Sequence, residues 1–136
     1  MSDCLFCRII AQEIPSRRVY EDETCIAFLD IAPYHRGHTL VIPRRHVEDG
    51  TRESEAWAEV SDGIIAVCEL LRRSLGAQGM NILSNAGSVS GQEIFHFHVH
   101  ILPRYPTNPG MSGLAQRDND ADFDLDGLHA QIMAAA

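Results

Sequence analysis

The chain has 136 residues, the size of one globular domain with a buried core. It carries 11 basic and 19 acidic residues, and the formal net charge of -8 disfavours nonspecific binding to nucleic acid, which needs clustered positive charge. No apolar run is long enough for a membrane span, we expect no signal peptide at Met1, and four cysteines are too few for a disulfide framework. These features predict a cytoplasmic protein that contacts neither membranes nor nucleic acid.

The N-terminal part alternates short periodic segments with turn residues. Residues 3–14 carry apolar side chains at near-helical spacing, which predicts a short helix that Pro15 ends. Segments 18–21 and 24–29 are extended in pattern and lie two residues apart, which predicts a hairpin. Residues 38–42 form a β-branched run, and we expect a third strand there.

The longest periodic segment spans residues 53–75 and ends before Gly76. Its apolar side chains recur every three or four positions, which predicts one long helix with a single buried stripe. The stripe consists of Trp57, Val60, Ile64, Val67, Cys68, Leu71 and Leu75. Residues 81–84 and 93–103 follow as two further predicted strands. Locally paired strands with one long helix predict an antiparallel α+β fold of about five strands.

The last part of the chain differs in composition from the rest. We expect a single domain over residues 1–110 and an acidic C-terminal extension over residues 111–136. Within it, residues 122–127 resemble the start of a calcium-binding loop, but Met133 stands where that loop requires glutamate. We interpret this segment as solvated acidic sequence, with a helical turn or two beginning near Leu128.

Three histidines alternate with apolar residues between positions 95 and 102. Strict alternation is typical of a strand, so His96, His98 and His100 should share one face at about 6.5–7 Å intervals. An exposed polar face is one interpretation, and a metal patch is another, although neighbouring side chains at that spacing diverge. Imidazoles are suited to nucleophilic and acid–base chemistry near neutral pH. We therefore favour a catalytic site centred on His98.

The alternating histidines resemble the signature of the histidine triad family. Four further blocks of this sequence look like the same family, and the resemblance extends from residue 4 to about residue 105. The blocks are Cys4-Leu-Phe-Cys-Arg-Ile-Ile10 with Glu13-Ile-Pro15, Ala27-Phe-Leu-Asp-Ile31, Gly37-His-Thr-Leu-Val-Ile-Pro43 and Gly91-Gln92. The resemblance implies a hydrolase or transferase that acts at the α-phosphate of a purine nucleotide, with nucleoside phosphoramidates or dinucleoside polyphosphates as substrates. It also implies a homodimer formed through the long helix and an edge strand.

The resemblance assigns the chemistry to two of the three histidines. His98 matches the family nucleophile, which attacks phosphorus and forms a covalent nucleotidyl-histidine that water then hydrolyses. This is reasonable chemistry, since a neutral imidazole is a good nucleophile and the covalent detour divides one difficult displacement into two. His100 would stabilise developing charge or the leaving group. We place the other histidines, His35, His38 and His129, on the surface or in loops.

The glycine- and serine-rich segment 85–92 precedes the histidine strand. On its own such a segment is a hairpin turn, but its backbone N–H groups and polar side chains can also hold an anion. Asn85, Gly91 and Gln92 match family positions that contact phosphate or ribose. Glu93 departs from the family pattern, which has Ser or Thr there near the leaving group. A carboxylate at this position would repel phosphate.

The resemblance also predicts a nucleoside pocket near the N-terminus. The base would lie between apolar side chains of the first helix and the second strand, and Asp30 would accept hydrogen bonds from the ribose hydroxyls. The apolar residues are Phe6, Ile9, Phe28 and Ile31. The alternative is that these residues belong to the core and that Asp30 caps a turn.

Cys4 and Cys7 form a C-x-x-C motif whose chemistry the spacing alone does not decide. Redox motifs of this kind follow a strand, and none is expected before Cys4, whereas a zinc site needs two more ligands. The resemblance supplies His46 and His96 and so implies a structural Cys2His2 zinc site. Two other functions stay open: a zinc-stabilised nucleotide-binding module with little turnover, and transfer of the nucleotidyl group to phosphate or a sugar phosphate.

Overall fold

A computed structural model describes residues 3–136. Five strands and three α-helices follow one another along the chain. They are α1 (Leu5–Ile10), β1 (Arg18–Glu21), β2 (Cys25–Leu29), β3 (Thr39–Pro43), α2 (Ser54–Leu75), β4 (Gly79–Leu83), β5 (Val99–Arg104) and α3 (Leu125–Ala134). The predicted α+β class is confirmed, and α1 is shorter than the segment 3–14 that the apolar spacing predicts. Within the described residues, no helix is both long and apolar enough to cross a membrane.

The five strands form one antiparallel sheet in the order β1-β2-β3-β5-β4. The register places Phe28 opposite Leu40, and Leu40 opposite His100. Because side chains alternate between faces along a strand, these three residues point to the same side of the sheet. The histidine strand β5 therefore lies inside the sheet, between β3 and the edge strand β4.

The two faces of the sheet are covered differently. The face opposite the histidines packs on α2, and its core includes Val41, Val67, Phe97 and Ile101. Gly76 ends α2 in the left-handed conformation at φ 70°. Trp57, predicted to be buried, is 39% exposed and donates from its indole N–H to the Gly50 carbonyl. This contact ties α2 to the loop that follows β3.

The histidine-bearing face is covered only in part, by α1. A second apolar cluster lies between α1 and the sheet and contains Phe6, Ile9, Ile26, Phe28, Leu40 and Ile42. The remainder of this face is the floor of an open cleft. The short first helix thus leaves β5 accessible from one side.

The strand predicted over residues 93–103 begins later, at Val99. Before it, the Phe97 N–H donates to the Val47 carbonyl at 2.6 Å, and that contact lies outside the β3–β5 ladder. The alternation nevertheless persists, because Phe97 is in the α2-side core while His96 packs edge-on against Phe6 from the other side. The prediction that the three histidines share one side of the chain is consistent with this packing.

The acidic C-terminal extension predicted over residues 111–136 packs against the rest of the domain through α3. Leu128 and Ile132 are four residues apart, share one helical face and are buried in the α2-side core. Asp124 caps the helix by accepting a hydrogen bond from the Gly127 N–H at 2.9 Å. The acidic composition of this segment concealed an apolar stripe too short to stand out in the sequence.

Candidate active site

The cleft above the histidine-bearing face brings together most of the predicted substrate-binding residues. Its walls include Phe6, Ile9, Phe28, Asp30, Ile31, Asn85, Gly91, Glu93, His98 and His100. Ile31 is 78% exposed, so it lies at the rim of the cleft and not in a buried wall. The C-terminal segment adds Leu114, Arg117 and His129. Residues from nearly the whole length of the chain therefore meet around β5.

His98 is held in one tautomer by the backbone beside it. Its Nδ1 lies 2.7 Å from the His96 carbonyl oxygen, which can only accept a hydrogen bond, so Nδ1 carries the proton. Nε2 then keeps its lone pair. Burial lowers the pKa of His98 below its usual value, although the hydrogen bond to His96 acts in the opposite direction. His98 is thus a neutral imidazole with an unprotonated nitrogen, the form that a nucleophile requires.

His100 is oriented by a chain of hydrogen bonds that passes through His38. The Tyr34 N–H donates to His38 Nδ1 at 3.1 Å, so the proton of a neutral His38 sits on Nε2. That nitrogen lies 3.0 Å from His100 Nδ1, which must accept. The proton of a neutral His100 is therefore on Nε2. His98 and His100 therefore present opposite groups to the cleft: His98 offers a lone pair and His100 offers an N–H.

His38 was predicted to lie on the surface or in a loop, and it ends the loop before β3 but is buried rather than on the surface. It is 3% exposed and lies 3.6 Å from the Asp30 carboxylate. Burial lowers its pKa to about 4, although Asp30 acts in the opposite direction. The pKa of His100 is also lowered to about 4, by burial and by the neighbouring His38 and His98. In the strand predicted over residues 38–42, residues 38, 40 and 42 lie on the same face because side chains alternate. This alternation was the signal in the sequence that His38 points to the same side as Leu40.

The other two histidines placed on the surface are also engaged. His35 is 1% exposed, and its ring nitrogens face the Leu114 carbonyl at 2.8 Å and the Asp118 carboxylate at 3.2 Å. His129 is half-buried and donates to the Arg18 carbonyl at 2.7 Å. Both fasten the C-terminal segment to the sheet domain. Of the predicted places, surface or loop, His35 lies in a loop but is buried, and His129 lies in α3 and is half-buried.

Gln92 supports the loop beside the cleft and does not line it. Its side chain is 3% exposed and accepts from the Gly87 N–H while donating to the Glu48 and Ile94 carbonyls. Nearby Gly91 has a φ of 106°, a conformation that favours glycine. Glu93, the next residue after this fixed glutamine, is exposed and lines the cleft.

The four predicted metal ligands form one cluster at the N-terminus of α1, where Cys4 is the N-cap residue. The ligand atoms of Cys4, Cys7, His46 and His96 all lie within 4.8 Å of one another. His96 Nδ1 lies 3.5 Å from the Cys4 sulfur and 3.6 Å from that of Cys7. A tetrahedral zinc ion with ordinary bond lengths separates sulfur from nitrogen by about 3.5 Å. The cluster therefore has the dimensions of a Cys2His2 zinc site.

Two further features of this cluster suit a cation. His96 Nε2 lies 2.9 Å from the Pro43 carbonyl and so carries the proton, which leaves Nδ1 with a lone pair beside the thiols. Burial raises the pKa of Cys7 to about 11, with the hydrogen bond and charge of Cys4 adding to the effect. Two thiolates side by side are thus unfavourable without a positive charge between them, and a divalent cation would supply it.

Comparison with known proteins agrees with this geometry. A family model described as the HIT domain matches residues 11–107. Protein hit of Bacillus subtilis is 38% identical over 133 residues, which covers 96% of this chain and 92% of that protein. Adenylylsulfatase HINT3 of Arabidopsis thaliana is 38% identical over 105 residues, covering 76% of this chain and 53% of that protein.

A solved structure extends the likeness to the fold. The crystal structure of a zinc-bound histidine triad family protein from Mycobacterium smegmatis matches with a TM-score of 0.76 and 36% identity, covering 98% of this chain and 93% of that one. The family model and the full-length relative agree over most of the sequence. This chain therefore belongs to the histidine triad family, whose members are generally nucleotide hydrolases or transferases.

Proposed function

We propose that this protein hydrolyses purine nucleotides at the α-phosphate through a covalent intermediate on His98. The observation that carries the proposal is the pair of opposite tautomers: the His96 carbonyl frees Nε2 of His98 for attack, and His38 sets an N–H on Nε2 of His100. A phosphoryl group needs a nucleophile on one side and hydrogen-bond donors around its oxygens. Nucleoside phosphoramidates and dinucleoside polyphosphates are the proposed substrates.

The nucleoside would occupy the apolar end of the cleft. The rings of Phe6 and Phe28 pack edge-to-face there with their centroids 5.5 Å apart, and the centroids of the Phe6 and His98 rings are 5.1 Å apart. A purine beside these rings would bring its phosphate close to His98. The Asp30 carboxylate lines the same cleft and would accept hydrogen bonds from the ribose hydroxyls, with Ile9 and Ile31 completing the apolar wall.

The reaction would proceed in two displacements. In the first, the bond from His98 Nε2 to phosphorus forms while the bond to the leaving group breaks, and the leaving atom takes a proton from His100 Nε2. The His38–His100 pair takes that proton from solvent when the anionic substrate binds, and Asp30 next to His38 favours its uptake. In the second, water attacks phosphorus, the bond to His98 breaks, and the water proton returns to solvent through the same pair.

The loop over residues 84–92 would hold the phosphate. Asn85 and Gly91 line the cleft beside the two histidines, and the buried Gln92 amide keeps the loop in place. The Ser84 hydroxyl donates to the His98 carbonyl at 2.6 Å, which fixes the loop to the strand that carries the nucleophile. In this proposal Gln92 acts on the loop conformation rather than on the phosphate itself.

Zinc is the proposed structural cofactor, held by Cys4, Cys7, His46 and His96. When bound, it would supply a closed cross-link between the N-terminal segment and the sheet. It would not take part in the displacements. The dimensions of the cluster and the zinc reported in the name of the Mycobacterium smegmatis relative support this assignment.

A homodimer through α2 and the edge of β4 is the proposed assembly. β4 lies at one end of the sheet, so one of its backbone edges has no strand partner among residues 3–136, and Ile82 on it is 49% exposed. Sedimentation velocity tests this proposal, and a monomer at micromolar concentration would contradict it.

The intact mass of the protein after brief mixing with a nucleoside phosphoramidate tests the central proposal. The reaction is stopped at neutral or basic pH, because acid breaks a protonated phosphorus–nitrogen bond. We expect a gain of one nucleoside monophosphate, absent in His98→Ala and retained in Glu69→Gln, the matched control at an exposed carboxylate on α2 that does not line the cleft. Product formation in His98→Ala should fall by at least about 1,000-fold.

The same experiment separates the other two functions. Tight nucleotide binding with neither adduct nor product in the unaltered protein would favour a binding module. Formation of nucleoside diphosphate on adding inorganic phosphate would favour transfer to phosphate in place of hydrolysis.

A further inference from the structure

The segment after β5 returns to the cleft and lines part of it, and the two displacements do not use this part. We call residues 114–117 the C-terminal wall. The residues of the wall that line the cleft are Leu114, Ala115 and Arg117. The next residue, Asp118, donates its N–H to the Tyr34 carbonyl at 2.7 Å, in the loop after β2. The wall therefore belongs to the cleft only while its contacts with that loop persist.

A buried histidine of the same loop joins it to the wall. His35 is 1% exposed, and its Nε2 lies 2.8 Å from the Leu114 carbonyl oxygen. Its Nδ1 lies 3.2 Å from one oxygen of the Asp118 carboxylate. The other oxygen of that carboxylate accepts a hydrogen bond from the Arg36 N–H at 3.0 Å. Both ring nitrogens of His35 thus face oxygen atoms at the two ends of the wall.

These contacts determine the charge of His35. A carbonyl and an ionised carboxylate can only accept hydrogen bonds, and a neutral imidazole has a single N–H to donate. A neutral His35 would therefore turn a lone pair toward one of the two oxygens, which is unfavourable for buried polar atoms. The imidazolium has two N–H groups and satisfies both oxygens. His35 is thus positively charged while the wall is docked, in contrast to the neutral His98 and His38.

The neighbouring groups leave His35 as the side chain whose charge varies near neutral pH. The charged and titratable side chains of the surrounding segments are Asp30, Tyr34, Arg36, His38, Tyr105 and Arg117. The two arginines keep their charge across the neutral range. Burial lowers the pKa of His38 to about 4 and raises the pKa of Tyr105 to about 12. Histidine is the side chain that changes charge near neutral pH, so a rise in pH discharges this cluster at His35.

We propose that His35 and Asp118 are positioning residues that hold the C-terminal wall in the cleft through the positive charge of His35. When the pH rises, His35 loses its second proton, and one of its two hydrogen bonds to the wall is lost. The docked wall binds this proton and the loosened wall does not, so a rising pH favours the loosened wall. Because Leu114 and Arg117 line the cleft, nucleotide affinity should fall with the docking.

Cleavage by trypsin after Arg117 measures the docking without any nucleotide. The Asp118 N–H must leave the Tyr34 carbonyl before the bond between residues 117 and 118 can enter a protease, so the rate follows the population of the loosened wall. Rates are taken relative to a reference peptide in the same tube. From about pH 6 to about pH 9 we expect a rise of about 10- to 100-fold, the effect of a charged hydrogen bond. Cleavage after Arg72 on α2 reports unfolding of the whole domain and should not rise with it.

Asp118→Asn provides the decisive comparison, because it should remove the pH dependence and keep the wall docked. The asparagine N–H can donate to an unprotonated Nδ1 of His35, and its oxygen still accepts from the Arg36 N–H. A neutral His35 then keeps its Nε2 bond to Leu114, and the cleavage rate should change by less than about threefold over the same pH range. Asp120→Asn is the matched control, since Asp120 is an exposed carboxylate of the same segment, and it should keep the pH dependence of the unaltered protein.

Nitrogen chemical shifts of His35 provide the second measurement, and both ring nitrogens should be protonated at about pH 6. A neutral His35 at that pH with the wall protected from trypsin would overturn the inference. An equal pH dependence of cleavage in Asp118→Asn and the unaltered protein would overturn it as well.

Binding of adenosine monophosphate keeps this inference separate from the proposed function. The Kd of the unaltered protein should rise with pH relative to that of Asp118→Asn, because the wall loosens in the unaltered protein alone. Absence of nucleotide binding in both proteins would contradict the proposed function, while the proteolysis would still decide the role of His35.

Discussion

Two histidine-containing clusters lie on the same face of the sheet, and the hydrogen bonds of their rings give them opposite chemistry. In the first cluster, the Pro43 carbonyl takes the Nε2 proton of His96 and leaves Nδ1 unprotonated beside two sulfurs. In the second, the Tyr34 N–H occupies Nδ1 of His38 and places the proton on Nε2, the atom that faces His100 and Asp30. A metal ion needs a lone pair, so only the first arrangement is ready to bind one.

The comparison shows that residue type and proximity do not define a metal site. Asp30, His38 and His100 also place their ligand atoms within 4.8 Å of one another, as the Cys2His2 cluster does. Two histidines and a carboxylate are a common metal-binding set. Here, however, the Tyr34 N–H bonds to Nδ1 of His38 and so keeps a proton on Nε2, the nitrogen that would have to coordinate the ion. The second cluster transmits a hydrogen bond to the cleft, and the first is suited to structural zinc.

The largest expected effect separates the clusters by their metal content. Cys7→Ser removes one sulfur ligand, so we expect the bound zinc to fall from about one ion per chain to nearly none. His38→Gln alters the other cluster and should keep about one ion per chain. Metal analysis after gel filtration measures both. Zinc retained by Cys7→Ser and lost from His38→Gln would show that the ion binds at Asp30, His38 and His100, and it would refute the tautomer argument.

Substitution of His38 should produce the next largest effect, on kcat. His38→Leu removes the donor to His100, so we expect kcat to fall by about 10- to 100-fold with little change in KM, as for other residues that orient a catalytic histidine. A glutamine amide can still donate a hydrogen bond, so His38→Gln should recover part of the loss.

A structural role for His38 would give a different result. If His38 only filled space in the core, His38→Leu and His38→Gln would affect kcat to the same extent. Nitrogen chemical shifts of His100 provide the second measurement, since loss of the donor should shift its proton between Nδ1 and Nε2.

The contrast between the clusters also shows what the sequence could predict. Ligands Cys4 and Cys7 are three residues apart on one turn, and the resemblance added His46 and His96, so the whole cluster could be proposed before the structure was known. The hydrogen-bond relay from His38 to His100 could not be proposed from the sequence. These two residues are 62 positions apart and meet only through the pairing of β3 with β5. A β-branched run predicts a strand but does not say which strand lies beside it.

The fold shows the same division between local and distant information. The β1–β2 hairpin and the end of α2 at Gly76 depend on nearby residues and were predicted correctly. The late start of β5 depends on Val47, which bonds to Phe97 from another part of the chain. The burial of α3 likewise depends on α2, which offers an apolar surface to Leu128 and Ile132. Contacts of this kind leave little trace in a local pattern.

The smallest expected effect concerns stability and tests whether the relay histidines are neutral. His38 and His100 have a pKa of about 4 in the folded protein, against the usual value near 6.5. Between pH 6.5 and 4 the unfolded chain therefore binds more protons than the folded one, and the free energy of unfolding falls as the pH is lowered through this range. Above pH 6.5 both states are neutral at these residues, and they contribute no pH dependence.

Urea unfolding of the unaltered protein and of His38→Gln measures this contribution. Both are kept in the same chelator, so that loss of a metal ion at acidic pH does not enter the comparison. One buried neutral histidine contributes a slope of at most about 1.4 kcal/mol per pH unit, and the variant should have a slope shallower by up to that amount below pH 6.5. Above pH 7 the difference between the two proteins should stay constant, which serves as the internal control. Parallel curves at all pH values would mean that His38 titrates alike in the folded and unfolded chain. That result would contradict the inference that His38 is neutral beside His100 in the folded protein.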